Sequence, residues 1–251
     1  MLADVFGASI VQADWQGREH YIAPTAAGAR LLESFSAKYP PFVTGLDRAP
    51  AAMALIQGSG LPCVHLMELA SEPGSYSVGF SQREAGRAIT QHLLDAGRRH
   101  IAYVAAQLDP RTLQRGEGYE AAMQQAGLGE NVRKLLSAEP SSMALGGAML
   151  EQVLREAPDT DAIFFCNDDL AQGARLAALR LGVAVPGRVA VAGFNDLPGS
   201  DQMLPPLTTV ATPRSEIGEH AAQMLMALMR GQPVEQPQLD LGFEIVKRAS
   251  A

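Results

Sequence analysis

Asp161-Ala162-Ile163-Phe164-Phe165-Cys166-Asn167-Asp168-Asp169-Leu170-Ala171-Gln172-Gly173-Ala174 is the stretch whose reading decides the fold. The apolar run from Ala162 to Cys166 reads as a buried strand, which the polar Asn167-Asp168-Asp169 stops abruptly. Leu170, Ala174, Leu176, Ala177 and Leu181 then recur at helical spacing. Strand, polar edge and helix make the unit of an open parallel α/β sheet, in which ligands bind outside the carboxyl ends of the strands. Asn167 stands where such a sheet shows a side chain to a ligand, and Asp168 stands at capping distance from the helix.

Outward from this unit the pattern repeats. On the amino-terminal side, strands are expected at 42–46, 62–68, 76–80 and 101–105. Helices are expected at 30–38, 51–57, 83–96, 111–126 and 144–156. Beyond it, strands are expected at 189–194, 207–210 and 239–247, with a long helix over 215–230 whose Ser215-Glu216 pair suits its start. The first residues, to about Asp14, read as an amphipathic helix, followed by a loop and a strand near His20-Tyr21-Ile22. Alternating strands and helices predict parallel sheets covered on both faces, and about ten strands are too many for one small sheet. The expected fold is therefore α/β, with two doubly wound parallel-sheet lobes. No flexible linker separates them, so their connections should cross.

The 251-residue chain carries 20 basic and 27 acidic side chains. That balance argues against nucleic-acid binding on its own electrostatics. No apolar run is long enough for a membrane span and no signal peptide opens the chain, so a cytoplasmic location is expected. Cys63 and Cys166, both flanked by apolar residues, read as reduced core thiols. The five histidines show no ligand spacing, so no metal is expected. Adjacent Asp168 and Asp169 point apart, and no nucleophile, base and orienter accompany them; no catalytic residue and no cofactor are expected.

Three segments carry a resemblance: 166–174, Val189 to Asp196 with Pro206 to Val210, and Ala96-Gly97-Arg98-Arg99-His100-Ile101-Ala102-Tyr103. In order and spacing, over about 61–246, they resemble the effector-binding core of the lac repressor family of bacterial transcription regulators. Leu108-Asp109-Pro110-Arg111-Thr112, Gly118-Tyr119-Glu120 and Leu239-Asp240-Leu241-Gly242-Phe243 resemble its gluconate-responsive branch. The resemblance implies two lobes of periplasmic-binding-protein type with three chain crossings, an effector in the cleft, and a homodimer. The lobes are expected at 1–99 plus 211–235, lacking the first strand, and at 100–210 plus 236–251. Ligand and operator would then bind different populations of one two-state element. The family's helix-turn-helix head is missing from this chain, so operator DNA would be reached only through a head the chain does not carry. Ser81-Gln82 departs from the Asp-Asn common in relatives.

Candidate effector contacts follow. Arg111 and Arg115 share a helix face four residues apart, at a helix start whose dipole favours an anion. A guanidinium fork suits a carboxylate, and by resemblance Arg115 falls at the family's effector-binding arginine. The competing reading is two solvated arginines, one paired with Asp109 or Glu117. Asn167 and Asn195 end successive strands with amides suited to hydroxyls; the family usually has an acid at the Asn195 position. Glu68 ends a first-lobe strand and could accept hydrogen bonds from hydroxyls. By resemblance Phe80 walls the cleft, with plain core as the alternative. Together these predict a sensor of a small sugar acid, gluconate or similar, with a transport-associated sugar-binding protein of the same fold as the alternative.

Overall fold

The structure is a computed structural model that describes residues 62–70 and 74–251, together with three short strands nearer the amino terminus. These are β1 (Val11–Ala13), β2 (Glu19–Tyr21) and β3 (Phe42–Thr44). β1 and β2 pair antiparallel, so residues 11–13 are extended where the sequence reading has a helix. The helices expected at 30–38 and 51–57 lie outside the described residues.

The chain continues through β4 (Cys63–Leu66), β5 (Tyr76–Gly79), α1 (Gln82–Asp95), β6 (Ile101–Ala106), α2 (Pro110–Gln125), β7 (Arg133–Ser137) and α3 (Met143–Glu156). There follow β8 (Ala162–Phe165), α4 (Asp168–Leu181), β9 (Ala190–Ala192), β10 (Thr209–Ala211), α5 (Arg214–Met229), β11 (Gln238–Asp240) and β12 (Glu244–Val246). Two four-stranded sheets result, ordered β11-β5-β4-β3 and β7-β6-β8-β9. Every pairing within them is parallel. β10 and β12 form a separate antiparallel pair.

Cα packing divides the chain into two compact units, Met1–Ser81 with Pro213–Gly242, and Gln82–Thr212 with Phe243–Ala251. The chain therefore passes between them three times. The sequence reading places 1–99 in the first lobe, yet α1 groups with the second unit because it packs along α2. The single strand expected over 239–247 is two. β11 pairs with β5 in the first unit, and β12 pairs with β10 in the second.

In the second unit β6 and β8 are buried along their whole length, as a parallel strand covered on both faces must be. β7 was not expected at all. Its Arg-Lys-Leu-Leu-Ser sequence alternates half-buried with exposed positions, the pattern of a charged sheet edge rather than an apolar run. Arg133 holds this edge with a two-pronged ion pair to Asp159 at 2.6 and 2.9 Å.

The helices of this unit pack in two tight pairs. A Cβ added at Gly118 of α2 would lie 2.0 Å from the Arg83 carbonyl oxygen of α1, and one at Gly173 of α4 would lie 1.9 Å from the Met143 oxygen of α3. Only glycine permits that backbone approach. Beneath the helices runs a row of buried rings, Tyr119 to Tyr103 (5.9 Å), Tyr103 to Phe164 (5.1 Å) and Phe164 to Phe194 (6.5 Å). Each tyrosine hydroxyl donates to a carbonyl at 2.6 Å, Thr112 for Tyr103 and Ile101 for Tyr119. Burial pushes the Tyr119 phenol up to about 12.

Candidate functional site

The ring row leads to Arg115. The sequence puts this residue one turn into α2, whose amino end is set by the Asp109 side chain accepting from the Thr112 amide at 2.8 Å, with Pro110 at the first helical position. Arg115 is only 8 % exposed. Its Nε donates to Gln82 Oε1 at 2.7 Å, and one Nη donates to the Cys166 carbonyl at 2.6 Å. Its guanidinium carbon lies 3.8 Å above the centre of the Phe194 ring. Among the described residues no carboxylate lies within ion-pair distance, and the second Nη has no hydrogen-bond partner. Burial pulls the guanidinium below its ordinary pKa, because the charge is desolvated with no opposing charge in contact. The solvated-surface reading of Arg115 is thus excluded by its burial.

Of the three residues that Arg115 touches, two directly precede the two expected asparagines. Cys166 comes just before Asn167 at the end of β8, and Phe194 just before Asn195 beyond β9. Arg115, Asn167 and Asn195 therefore converge on the carboxyl edge of one sheet. Cys166 is buried, and burial pushes its thiol up to about 11; the thiol is protonated and its carbonyl does the holding.

Asn167 is the cap of α4. Its Oδ1 accepts from the Leu170 amide at 3.0 Å, and its Nδ2 donates to Ser141 Oγ at 2.6 Å. This corrects the sequence reading, in which Asp168 caps the helix. Asp168 is the first helical residue and is fully buried. Asn195 has φ +105°, a conformation that side-chain-bearing residues rarely adopt. Its backbone amide donates to the Val210 carbonyl at 2.8 Å, while its side-chain amide has no hydrogen-bond partner among the described residues.

Arg111 lies at the start of the same helix, partly exposed, with its Nη2 3.9 Å from Asp109. The pairing named as the competing reading is therefore present, at the outer limit of an ion pair. Glu68 and Phe80 belong to the first unit. Glu68 sits two residues beyond β4 and is 4 % exposed; Phe80 follows β5 and is fully buried. The Met67–Glu68 backbone passes so close to β5 that a Cβ at Gly79 would lie 2.3 Å from the Glu68 nitrogen.

Sequence reasoning missed Gln82 as the partner of Arg115, although it marked Ser81-Gln82 as a departure. The partnership spans 33 positions and no local pattern announces it. It also missed the work of Asp168, whose three donors come from segments 29 to 41 residues away. Among the described residues no group of three or more histidine, cysteine, aspartate or glutamate side chains could hold a metal ion, and no helix is long and apolar enough to cross a membrane.

Parallel sheets whose carboxyl edge gathers a buried guanidinium and two amides have the layout on which open α/β proteins hold small ligands. Residues 90–251 match the family model described as periplasmic binding protein-like domain. The chain belongs to the lac repressor family of transcription regulators. It is 50 % identical over 222 residues to the HTH-type transcriptional regulator GntR of Pseudomonas aeruginosa, a match covering 88 % of this chain and 65 % of that protein. The chain thus spans just under two thirds of that relative's length. The crystal structure of transcription regulator GntR from Chromobacterium violaceum superposes with a TM-score of 0.80 at 45 % identity, covering 88 % of this chain and 82 % of that one. A LacI family transcriptional regulator from Silicibacter pomeroyi gives a TM-score of 0.76 at 30 % identity, covering 88 % and 82 %.

Proposed function

We propose that this chain is the effector-sensing and dimerising core of a cytoplasmic bacterial transcription repressor that responds to a small sugar acid, gluconate or a close relative. The observation that carries the reading is Arg115, a buried cation at the carboxyl edge of a parallel sheet with no carboxylate against it among the described residues. An unpaired buried charge is costly. A ligand carboxylate completes the guanidinium fork and removes that cost, which a neutral sugar does not do. Asn195 and Asn167 then offer amide donors and acceptors to the hydroxyls, with Arg111 as a further contact. The names of the relatives, GntR among them, support a regulator of this branch. For the whole protein the proposed macromolecular partner is operator DNA. In this reading the protein performs no chemistry on its effector.

The test is thermal unfolding of the chain in the presence of sodium gluconate, other aldonic and keto acids, neutral sugars and purines. A ligand that binds only the native state stabilises by RT ln(1 + [L]/Kd), about 2.7 kcal/mol at a hundredfold excess over Kd. Sugar acids are expected to raise Tm and neutral sugars to leave it unchanged. A shift with neutral sugars or purines alone overturns the carboxylate reading.

A further inference from the structure

We propose that Asp168 is a positioning residue for effector recognition: its buried carboxylate clamps the 194–200 loop in the strained conformation that presents Asn195. This deepens the proposed function and rests on it for the identity of the ligand.

The carboxylate is fully buried and both of its oxygens are occupied. Oδ1 accepts from Thr209 Oγ1 at 2.7 Å, and Oδ2 accepts from the Leu197 amide at 2.7 Å and from Ser200 Oγ at 3.1 Å. Thr209 is on β10, whereas Leu197 and Ser200 lie on the loop. One side chain at the start of α4 therefore ties three chain segments together. Gln172, one turn further along α4, adds a bond from its Nε2 to Ser200 Oγ at 3.1 Å. The space is fitted to the carboxylate, since a Cβ at Gly193 would lie 2.1 Å from Asp168 Oδ1.

What the clamp holds is a conformation that the loop would not keep alone. Asn195 at φ +105° and Asp196 at φ +50° are consecutive side-chain-bearing residues with positive φ. Such geometry persists only where its surroundings over-determine it, and it gathers at ligand sites. On one side of the pair, the Asn195 amide is held by the Val210 carbonyl. On the other side, Leu197 is held by Asp168. Asp196 is tied down by a two-pronged ion pair with Arg248 at 2.7 and 3.2 Å. These bonds fix the backbone around Asn195, while its side-chain amide has no hydrogen-bond partner among the described residues.

The experiment measures sodium gluconate binding by calorimetry, and amide hydrogen exchange of the 194–200 segment, in the full chain. The variants are Asp168→Ala and the milder Thr209→Val, which removes one strut at nearly constant shape. Each is combined with Asn195→Ala. Thr209→Val is expected to weaken gluconate by about tenfold, the equivalent of one charge-assisted hydrogen bond, and Asp168→Ala by more. Once either is present, Asn195→Ala should cost little further, and exchange at 196–200 should quicken. Losses that simply add to that of Asn195→Ala overturn the proposal, because Asp168 then acts on the fold at large. Unchanged exchange in both variants also overturns it. If the wild-type chain binds no gluconate, the proposed ligand fails, and hydrogen exchange alone decides the clamp.

Discussion

Replacing Arg115 by methionine should separate ligand binding from folding. In the unliganded protein the change removes the guanidinium donor from two buried acceptors, Gln82 Oε1 and the Cys166 carbonyl, at up to about 1–3 kcal/mol each. It also removes the contact over Phe194, worth about 2 kcal/mol when desolvated. Against this stands relief of the desolvation penalty on a buried cation that has no carboxylate partner among the described residues, several kcal/mol by itself. The two sides nearly cancel, because methionine fills much of the same volume. At about 2–4 °C per kcal/mol for a chain of this size, the unliganded Tm should move by less than about 6 °C. Gluconate affinity has no such compensation. Removing one partner of a buried charge pair costs about 2–5 kcal/mol, so Kd should rise by a factor of about 30 or more. Scanning fluorimetry without ligand and calorimetry with gluconate make the comparison. Gluconate affinity within threefold of wild type, or an unliganded Tm lowered by about 15 °C, would refute the argument that this guanidinium is kept for an anion.

Two further predictions concern the fold. Gly173→Ala forces a Cβ onto the Met143 backbone oxygen of the partner helix; overpacking of this kind costs about 1–3 kcal/mol or more, and Tm should fall accordingly. Gly129→Ala, whose added Cβ meets only the flexible Gln124 Cγ at 3.7 Å, serves as a near-neutral control. His92 is lowered in pKa, first by burial and then by Lys247, with Asp95 opposing. The unfolded chain therefore takes up this proton more readily than the folded one, and the stability involved is lost as pH falls below about 6.5. His92→Gln should flatten the dependence of the urea midpoint on pH between about 7 and 5; an unchanged slope would remove His92 as its source.

Most of the second unit was legible in the sequence because its strands are buried on both faces. Ile101 to Ala106 and Ala162 to Phe165 are unbroken apolar runs, and a run of that length between two helices leaves little choice of fold. β7 was not legible, since a sheet edge carries charge and shows only weak alternation. The division of 238–246 was hidden for another reason. β11 and β12 are separated by three residues and read as one extended stretch; only the partners, β5 for one and β10 for the other, reveal two strands.

The candidate site divides in the same way. That strands of this kind end in polar residues, and that an arginine-bearing helix follows one of them, is written locally, in residue type and spacing. Arg111, Arg115, Asn167 and Asn195 could all be named from it. What each side chain does was decided by tertiary structure. Asn167 caps its own helix, and Asp168 turns inward to hold a loop 29 residues away. Arg115 is buried against Gln82, Cys166 and Phe194, which come from three distant segments. Periodicity in a sequence records which face of an element is apolar. The partners of a buried polar group, by contrast, are whichever donors and acceptors the packed sheet brings within about 3 Å, and no local pattern encodes them.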